Sequence, residues 1–279
     1  MPPFQFIERA SPFNTKGGRT LPVFAVTLLP FMVMGLTAIR PQNELYVRGW
    51  FASRIAWENF VEMWTATGFG KALVNSLYVS TLATVLALII AIPAGYAVSR
   101  FRFTGRSNFR RFLLITQMLS PIVLVLGLFR IMVLFGALDN LNALALLYAG
   151  FNVAFSVWML ESYFSTIPRD LEEAAWMEGA SPLTALRRVF LPLALPAITV
   201  TALFTFVNSW NEFVLALTTL RSEENYTLPI QIQSIVSGRY SVDWHLVMAA
   251  ALGATLPVAI MFAWMQRYML RGLTAGAVK

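Results

Sequence analysis

Apolar residues in this chain fall into long blocks rather than alternating with polar ones. A helix needs about 20 apolar residues to cross the hydrocarbon core of a bilayer. Six stretches meet that requirement: 21–39, 72–99, 112–135, 141–160, 193–220 and 246–266. The pattern predicts an all-α membrane protein with six transmembrane helices. The reading divides the chain into a tail 1–20, a first span 21–39, an outer loop 40–71, a core of five spans over 72–267, and a tail 268–279. The first span lies too far from the start, and lacks the small-residue cleavage pattern, to be a removed signal peptide.

Composition agrees with the pattern. Of 279 residues, 57% are hydrophobic and 13% charged, against about 25% charged in soluble domains. The net charge of +7 would fit nucleic acid in a soluble chain, but here it is better explained by basic loops facing the cytoplasm. Six spans put both termini on one side. If that side is the cytoplasm, the inner segments hold fourteen basic residues, with Arg100, Arg102, Arg106, Arg110 and Arg111 in one loop, and the outer segments hold six. The bias predicts cytoplasmic termini.

Small residues recur every four positions at Ala83, Ala87, Ala91 and Gly95, and again at Ala249 with Gly253 and Ala250 with Ala254. Such stripes let helices approach closely, and ordinary bundle packing accounts for them. Trp50, Trp57, Trp64 and Trp244 fit a belt at the outer interface. His245, beside Trp244, reads as interfacial, and Arg130 as an arginine snorkelling to the surface.

The chemistry is mostly exclusion. With no cysteine and one histidine, thiolate zinc sites, a cysteine nucleophile and multi-histidine metal sites are ruled out. Gly70-Lys71 is the one Gly-Lys pair, and Ala72 follows where a phosphate loop needs Ser or Thr. No membrane-embedded catalytic constellation assembles. An ion-coupled secondary transporter would carry a coupling site and often an internal repeat. Glu212 is the single acid deep in a span, and no repeat is present.

The stretch 165–192, between the fourth and fifth spans, stands apart. Ser165 or Thr166 can cap a helix with Pro168 in its first turn. Asp170, Glu172 and Glu173 suit the positive end of its dipole, and Gly179 can end it in a left-handed conformation. Ser181-Pro182 restarts a second short helix, with Arg187 and Arg188 near its end, and Leu191-Pro192 leads into the fifth span. The result is a stiff elbow on the cytoplasmic face. A solvated linker or an amphipathic elbow on lipid headgroups would look similar. A linker, however, has no need of Ala174-Ala175 beside the acids. Small side chains let a helix sink into a groove on another protein while acids meet basic residues at its rim.

Polar side chains inside spans usually face a cavity or a partner helix. Gln117, Asn152, Asn208, Trp210, Asn211 and Glu212 are such residues. Amides, a carboxylate and an indole suit a sugar; hydrogen bonding between helices is the alternative.

Glu173-Ala174-Ala175, three residues, Gly179, nine residues, then Val189-Phe190-Leu191-Pro192 resembles the EAA loop of ABC-importer permeases. Asn75-Ser76-Leu77, Gly95 to Arg100, Leu138-Asp139-Asn140, Trp210 to Phe213 and the ending Gly272 to Lys279 resemble the carbohydrate-uptake branch, of maltose and trehalose type. The resemblance covers roughly Trp57 to the C-terminus. It implies a permease of the bacterial cytoplasmic membrane that pairs with a second permease and two ATPase subunits. An extracytoplasmic binding protein would deliver a di- or oligosaccharide. ATP and Mg would be held by the ATPase subunits, with no cofactor and no catalytic residue in this chain. Glu172, Glu173, Ala174, Ala175, Gly179, Leu191 and Pro192 would form the coupling elbow, and Thr274, Gly276 and Lys279 would reach the ATPases. A permease for a non-sugar solute has the same elbow.

Overall fold

A computed structural model describes residues 21–45, 53–237 and 242–276. Trp50, Lys279 and the tail 1–20 lie outside them. Every regular element among the described residues is helical. Three helices are long and apolar enough to cross a bilayer alone: α3 (Phe69–Arg100), α6 (Leu141–Thr166) and the Trp244–Gln266 part of the last helix. α1 (Leu21–Ala38) is apolar but shorter, and α2 (Glu58–Ala66) is an amphipathic helix before α3.

Two expected spans are broken. The stretch 112–135 is two helices, α4 (Arg106–Met118) and α5 (Pro121–Leu134), bent by 96°. Ser120-Pro121 explains the break, because proline disfavours helical backbone in the residue before it; Ser120 has ψ 136°. If each bent pair is one span, the described helices supply up to five crossings. The stretch 193–220 divides into α10 (Leu195–Trp210) and α11 (Val214–Thr219).

Between α6 and α10 come α7 (Asp170–Met177), α8 (Pro182–Ala185), a π-wound turn Leu186–Phe190, and α9 (Leu191–Leu193). Residues 182–193 meet α10 at 79°. α12 (Leu228–Val236) precedes α13 (Trp244–Gly276). α13 runs past the expected end of the sixth span, so most of the stretch read as a tail, Thr274 and Gly276 included, is helical.

The small-residue stripe of α3 forms a close seam of the bundle. Ala83, Ala87 and Ala91 have no exposed surface, and α3 with α6 is the most extensive helix pair. A Cβ added at Gly95 would lie 3.2 Å from both the Glu161 nitrogen and the Leu160 Cβ. The α13 stripe is likewise buried at Ala249 and Ala250, and Gly253 lies under the Phe69 ring. His245 is buried, at 3% exposed. Trp57, Trp64 and Trp244 keep exposed faces.

The end of the bundle far from the elbow is closed by hydrogen bonds between loops. Asp139 has φ 56°. Its carboxylate accepts from the Arg221 and Ser222 backbone amides (2.9 and 3.1 Å) and from the Ser222 hydroxyl (2.7 Å). Asn140 caps α6, its Oδ1 accepting from Asn142 and Ala143. Asn75 donates to the Glu224 and Tyr226 carbonyls, and Ser76 accepts from the Leu228 amide. The segment joining α11 to α12 is thereby fastened to α3 and to the start of α6. Burial alone would raise the Asp139 pKa, but the donors from Arg221 and Ser222 outweigh it and hold the pKa at about 2.

Two outcomes follow from this packing. Gly95→Val should force α3 and α6 apart and cost about 1–3 kcal/mol, as overpacking does, read as earlier unfolding in detergent. Gly127→Ala, with nothing within 4 Å of the added carbon, should not. For Asp139, a depressed native pKa means its contribution is present above the ordinary carboxylate value and lost as pH falls below it. The gap in melting temperature between wild type and Asp139→Asn should therefore be flat from neutral pH to about 5 and close below about 4.

Candidate functional site

The elbow is held in shape by local bonds. Ser165 and Thr166 do not cap α7. They close the last turn of α6, their hydroxyls bonded back to Glu161 and Tyr163 carbonyls (2.8 and 2.7 Å). α7 starts instead after Ile167-Pro168, with Arg169 at its N-cap and no side-chain cap. Asp170, Glu172 and Glu173 occupy its first turn, where the helix dipole favours acids. Gly179 ends it at φ 83°. The Ala180 amide reaches the Ala175 carbonyl and the Gly179 amide the Trp176 carbonyl, both at 2.9 Å, which is a Schellman closure. Ser181 caps α8 through the Thr184 amide, with Pro182 in the first turn. Leu191 packs partly against the core and Pro192 is exposed.

The two acids beside the alanines face opposite ways. Glu173 is exposed together with Ala174, while Ala175 is half-buried. Glu172 is 3% exposed and turned into the bundle. One of its oxygens accepts from the Tyr96 hydroxyl at 2.6 Å, and the other lies 3.6 Å from the Arg100 guanidinium. Arg100 also donates to the Phe164 and Ile167 carbonyls, at 2.8 and 2.7 Å, and stacks over the Phe190 ring at 4.7 Å. Phe164, Phe190 and Phe101 surround the Tyr96 ring. Nearby, Arg110 pairs with Glu161. Glu172 thus anchors α7 to the bundle, and the outer face of α7 is left to its neighbours. That face is apolar at its tip: Met177 is 89% exposed and Trp176 45%, with Leu171 and Leu183 also open.

Sequence reasoning singled out Glu172 but missed Tyr96 and Arg100 as its partners. The available signal was their spacing. Four residues apart at the end of a long helix, they share one face.

The polar residues of the spans divide into two groups. Gln117, Asn152, Asn208 and Glu212 line one cavity of about 250 Å³, together with Thr116, Tyr148 and Ser209, which were not anticipated. Asn152 donates to the Tyr148 carbonyl (2.9 Å) and accepts from Asn208 (3.4 Å). The Glu212 carboxylate accepts from the Leu215 and Ala216 amides, so it caps α11 at the break in the span. Phe151 and Phe155 add flat apolar walls. Trp210 is elsewhere, 4% exposed and stacked on Phe206, and Asn211 is an exposed residue ending α10. No cluster of three His, Cys, Asp or Glu able to hold a metal occurs among the described residues.

Residues 83–275 match the family described as binding-protein-dependent transport system inner membrane component. The chain is 33% identical over 259 residues to the diacetylchitobiose uptake system permease protein DasC of Streptomyces coelicolor, covering 92% of this chain and 94% of the relative. It is 37% identical over 224 residues to the trehalose/maltose transport system permease protein MalG of Thermococcus litoralis, covering 80% and 81%. Its fold matches a crystal structure of a bacterial ABC transporter involved in the import of the acidic polysaccharide alginate. There the TM-score is 0.77 and the identity 24%, over 92% of this chain and 99% of that one. The family match spans both the elbow and the polar cavity, and the chain belongs to the inner-membrane permease components of binding-protein-dependent ABC transport systems.

Proposed function

We propose that this chain is one permease of an ATP-driven importer of a di- or oligosaccharide, coupled to cytoplasmic ATPase subunits through the elbow of residues 165–192. The observation that carries the reading is the elbow itself. It presents Glu173, Ala174, Trp176 and Met177 outward on a rigid α7, while Glu172 braces the same helix from behind. In a membrane protein without a phosphate loop, an exposed apolar tip on a rigid projection suits a partner that supplies the energy. ATP and Mg belong to that partner. Driving a two-state equilibrium from about 1:99 to 99:1 takes about 5.5 kcal/mol of differential affinity, within reach of a nucleotide-driven partner.

The topology proposed is six crossings: α1, α3, α4 with α5, α6, α10 with α11, and α13. Both termini and the elbow lie in the cytoplasm, in keeping with the arginines 100–111 beside the elbow. The sugar reading draws on the relatives and on the cavity, whose amides, carboxylate and phenylalanine faces suit hydroxyls and the flat face of a pyranose. At about 250 Å³ the cavity is smaller than the 300–1,000 Å³ usual for small-molecule sites, so a second permease would complete it. An extracytoplasmic binding protein would hand over the sugar at the far end of the bundle, and the C-terminal residues Thr274, Gly276 and Lys279 would reach the ATPases.

The complete complex in proteoliposomes should take up trehalose, maltodextrin or diacetylchitobiose only when ATP is supplied. Uptake of methionine or phosphate in place of all three sugars would overturn the sugar reading. Gly179→Leu places a side chain at a positive φ, a strain of roughly 1–2 kcal/mol, with no atom nearby to clash. Together with Glu173→Lys, it should leave the permease inserted. Each should reduce ATPase co-purification by about tenfold or more, since 1.4 kcal/mol of docking energy is tenfold in affinity, and should abolish uptake. Normal uptake with either change would remove the elbow from the mechanism.

A further inference from the structure

Besides its short link to α6 through Ile167-Pro168 and the packing of Leu186 and Phe190 in the core, the elbow joins the bundle at two further points. The covalent joint, through α9 and Ala194 into α10, is a poor lever by itself. It contains a π-wound turn, and residues 182–193 meet α10 at 79°, so a load applied at Met177 could flex it. The second joint is the buried cluster of Tyr96, Arg100 and Glu172. Glu172 precedes the exposed Glu173 by one residue, so a load on the docking face reaches α3 within a single turn of α7. Arg100 extends the joint to α6 through the Phe164 and Ile167 carbonyls. Twelve residues back along α6, about 18 Å at 1.5 Å per residue, Asn152 lines the polar cavity. One continuous path of packed and hydrogen-bonded groups therefore links the elbow face to the cavity wall.

The cluster is suited to carrying a load. Arg100 is 9% exposed and Glu172 3%. Arg100 meets the negative end of α6, and Glu172 sits at the positive end of α7. Three aromatic rings exclude water from around Tyr96. A buried charge pair that loses one partner leaves the other uncompensated, so the two helices cannot separate cheaply.

We infer that Tyr96, Arg100 and Glu172 are positioning residues that lock the elbow to α3 and α6, so that displacement of the elbow moves α3 and the cavity wall with it as one body. The inference rests on the elbow being the ATPase docking site. A brace that served stability alone would have no effect on communication across the membrane.

The test uses the complete complex with its ATPases and binding protein. This chain has no cysteine, so Asp170→Cys, exposed at the start of α7 and outside the apolar tip, and Ile89→Cys on the exposed face of α3 accept spin labels, with cysteine-free partners completing the assembly. In an otherwise native chain, the distance between them should be the same without nucleotide and with ATP plus vanadate. In Tyr96→Phe and in Glu172→Gln it should become state-dependent while the ATPases still co-purify. The ratio of ATPase rate with binding protein to the rate without it should fall to about one, as expected when coupling between sites is lost, and Glu172→Asp should restore part of it. The inference is overturned if the distance in the native chain changes between the two states. It is also overturned if the variants leave the ratio unchanged, whether or not hydrolysis and protein yield decline. A native complex that retains no ATPase would instead sink the docking reading.

Discussion

The arrangement depends on one arginine in a place where water is scarce. Arg100 ends the long apolar helix α3 and is 9% exposed, so little water reaches its charge. It is held instead by two carbonyls at the end of α6, by the Glu172 carboxylate and by the Phe190 ring. Removing one partner of a buried pair costs about 3–5 kcal/mol. The chain therefore has to bring α3, α6, α7 and the turn before α9 to one point, and that point fixes the direction in which the elbow projects.

The same helix, α6, is fixed at its other end. Asn140 caps it, and Asp139 beside the cap gathers the amides of Arg221 and Ser222. A strut fastened at both ends can carry a polar face through its middle, and α6 does so with Tyr148 and Asn152. Opposite them, the break between α10 and α11 leaves amides that a continuous helix would have satisfied. Glu212 satisfies two of them. Irregular backbone at membrane depth is tolerated where protein or a cavity covers it, and here both do.

Much of this was legible in the sequence, for identifiable reasons. The stripe Ala83 to Gly95 predicted a close helix seam because small side chains at a spacing of four leave room for little else. Gly179 and Ser181-Pro182 marked the elbow because their backbone preferences are local. What local chemistry leaves undecided was harder to read. Ser165 and Thr166 looked like caps, yet their hydroxyls bond back into α6, because Ile167-Pro168 delays the next helix. Glu172 and Glu173 are adjacent and identical in type, and only the tertiary position of Arg100 turns one inward and leaves the other outward. Trp210 seemed suited to a sugar, but its indole is taken by Phe206. The bend at Ser120-Pro121 was present in the sequence as a proline, though hydropathy alone merged the two helices on either side of it.

The central claim is that work done in a separate ATPase enters the bilayer through the elbow and its buried anchor. The most direct measurement is a cryo-electron microscopy structure of the assembled complex with nucleotide trapped. The account predicts Ala174, Trp176 and Met177 covered by the ATPase subunit, with the Glu172 carboxylate still between Tyr96 and Arg100. An elbow standing free of any nucleotide-binding subunit in that structure would contradict it.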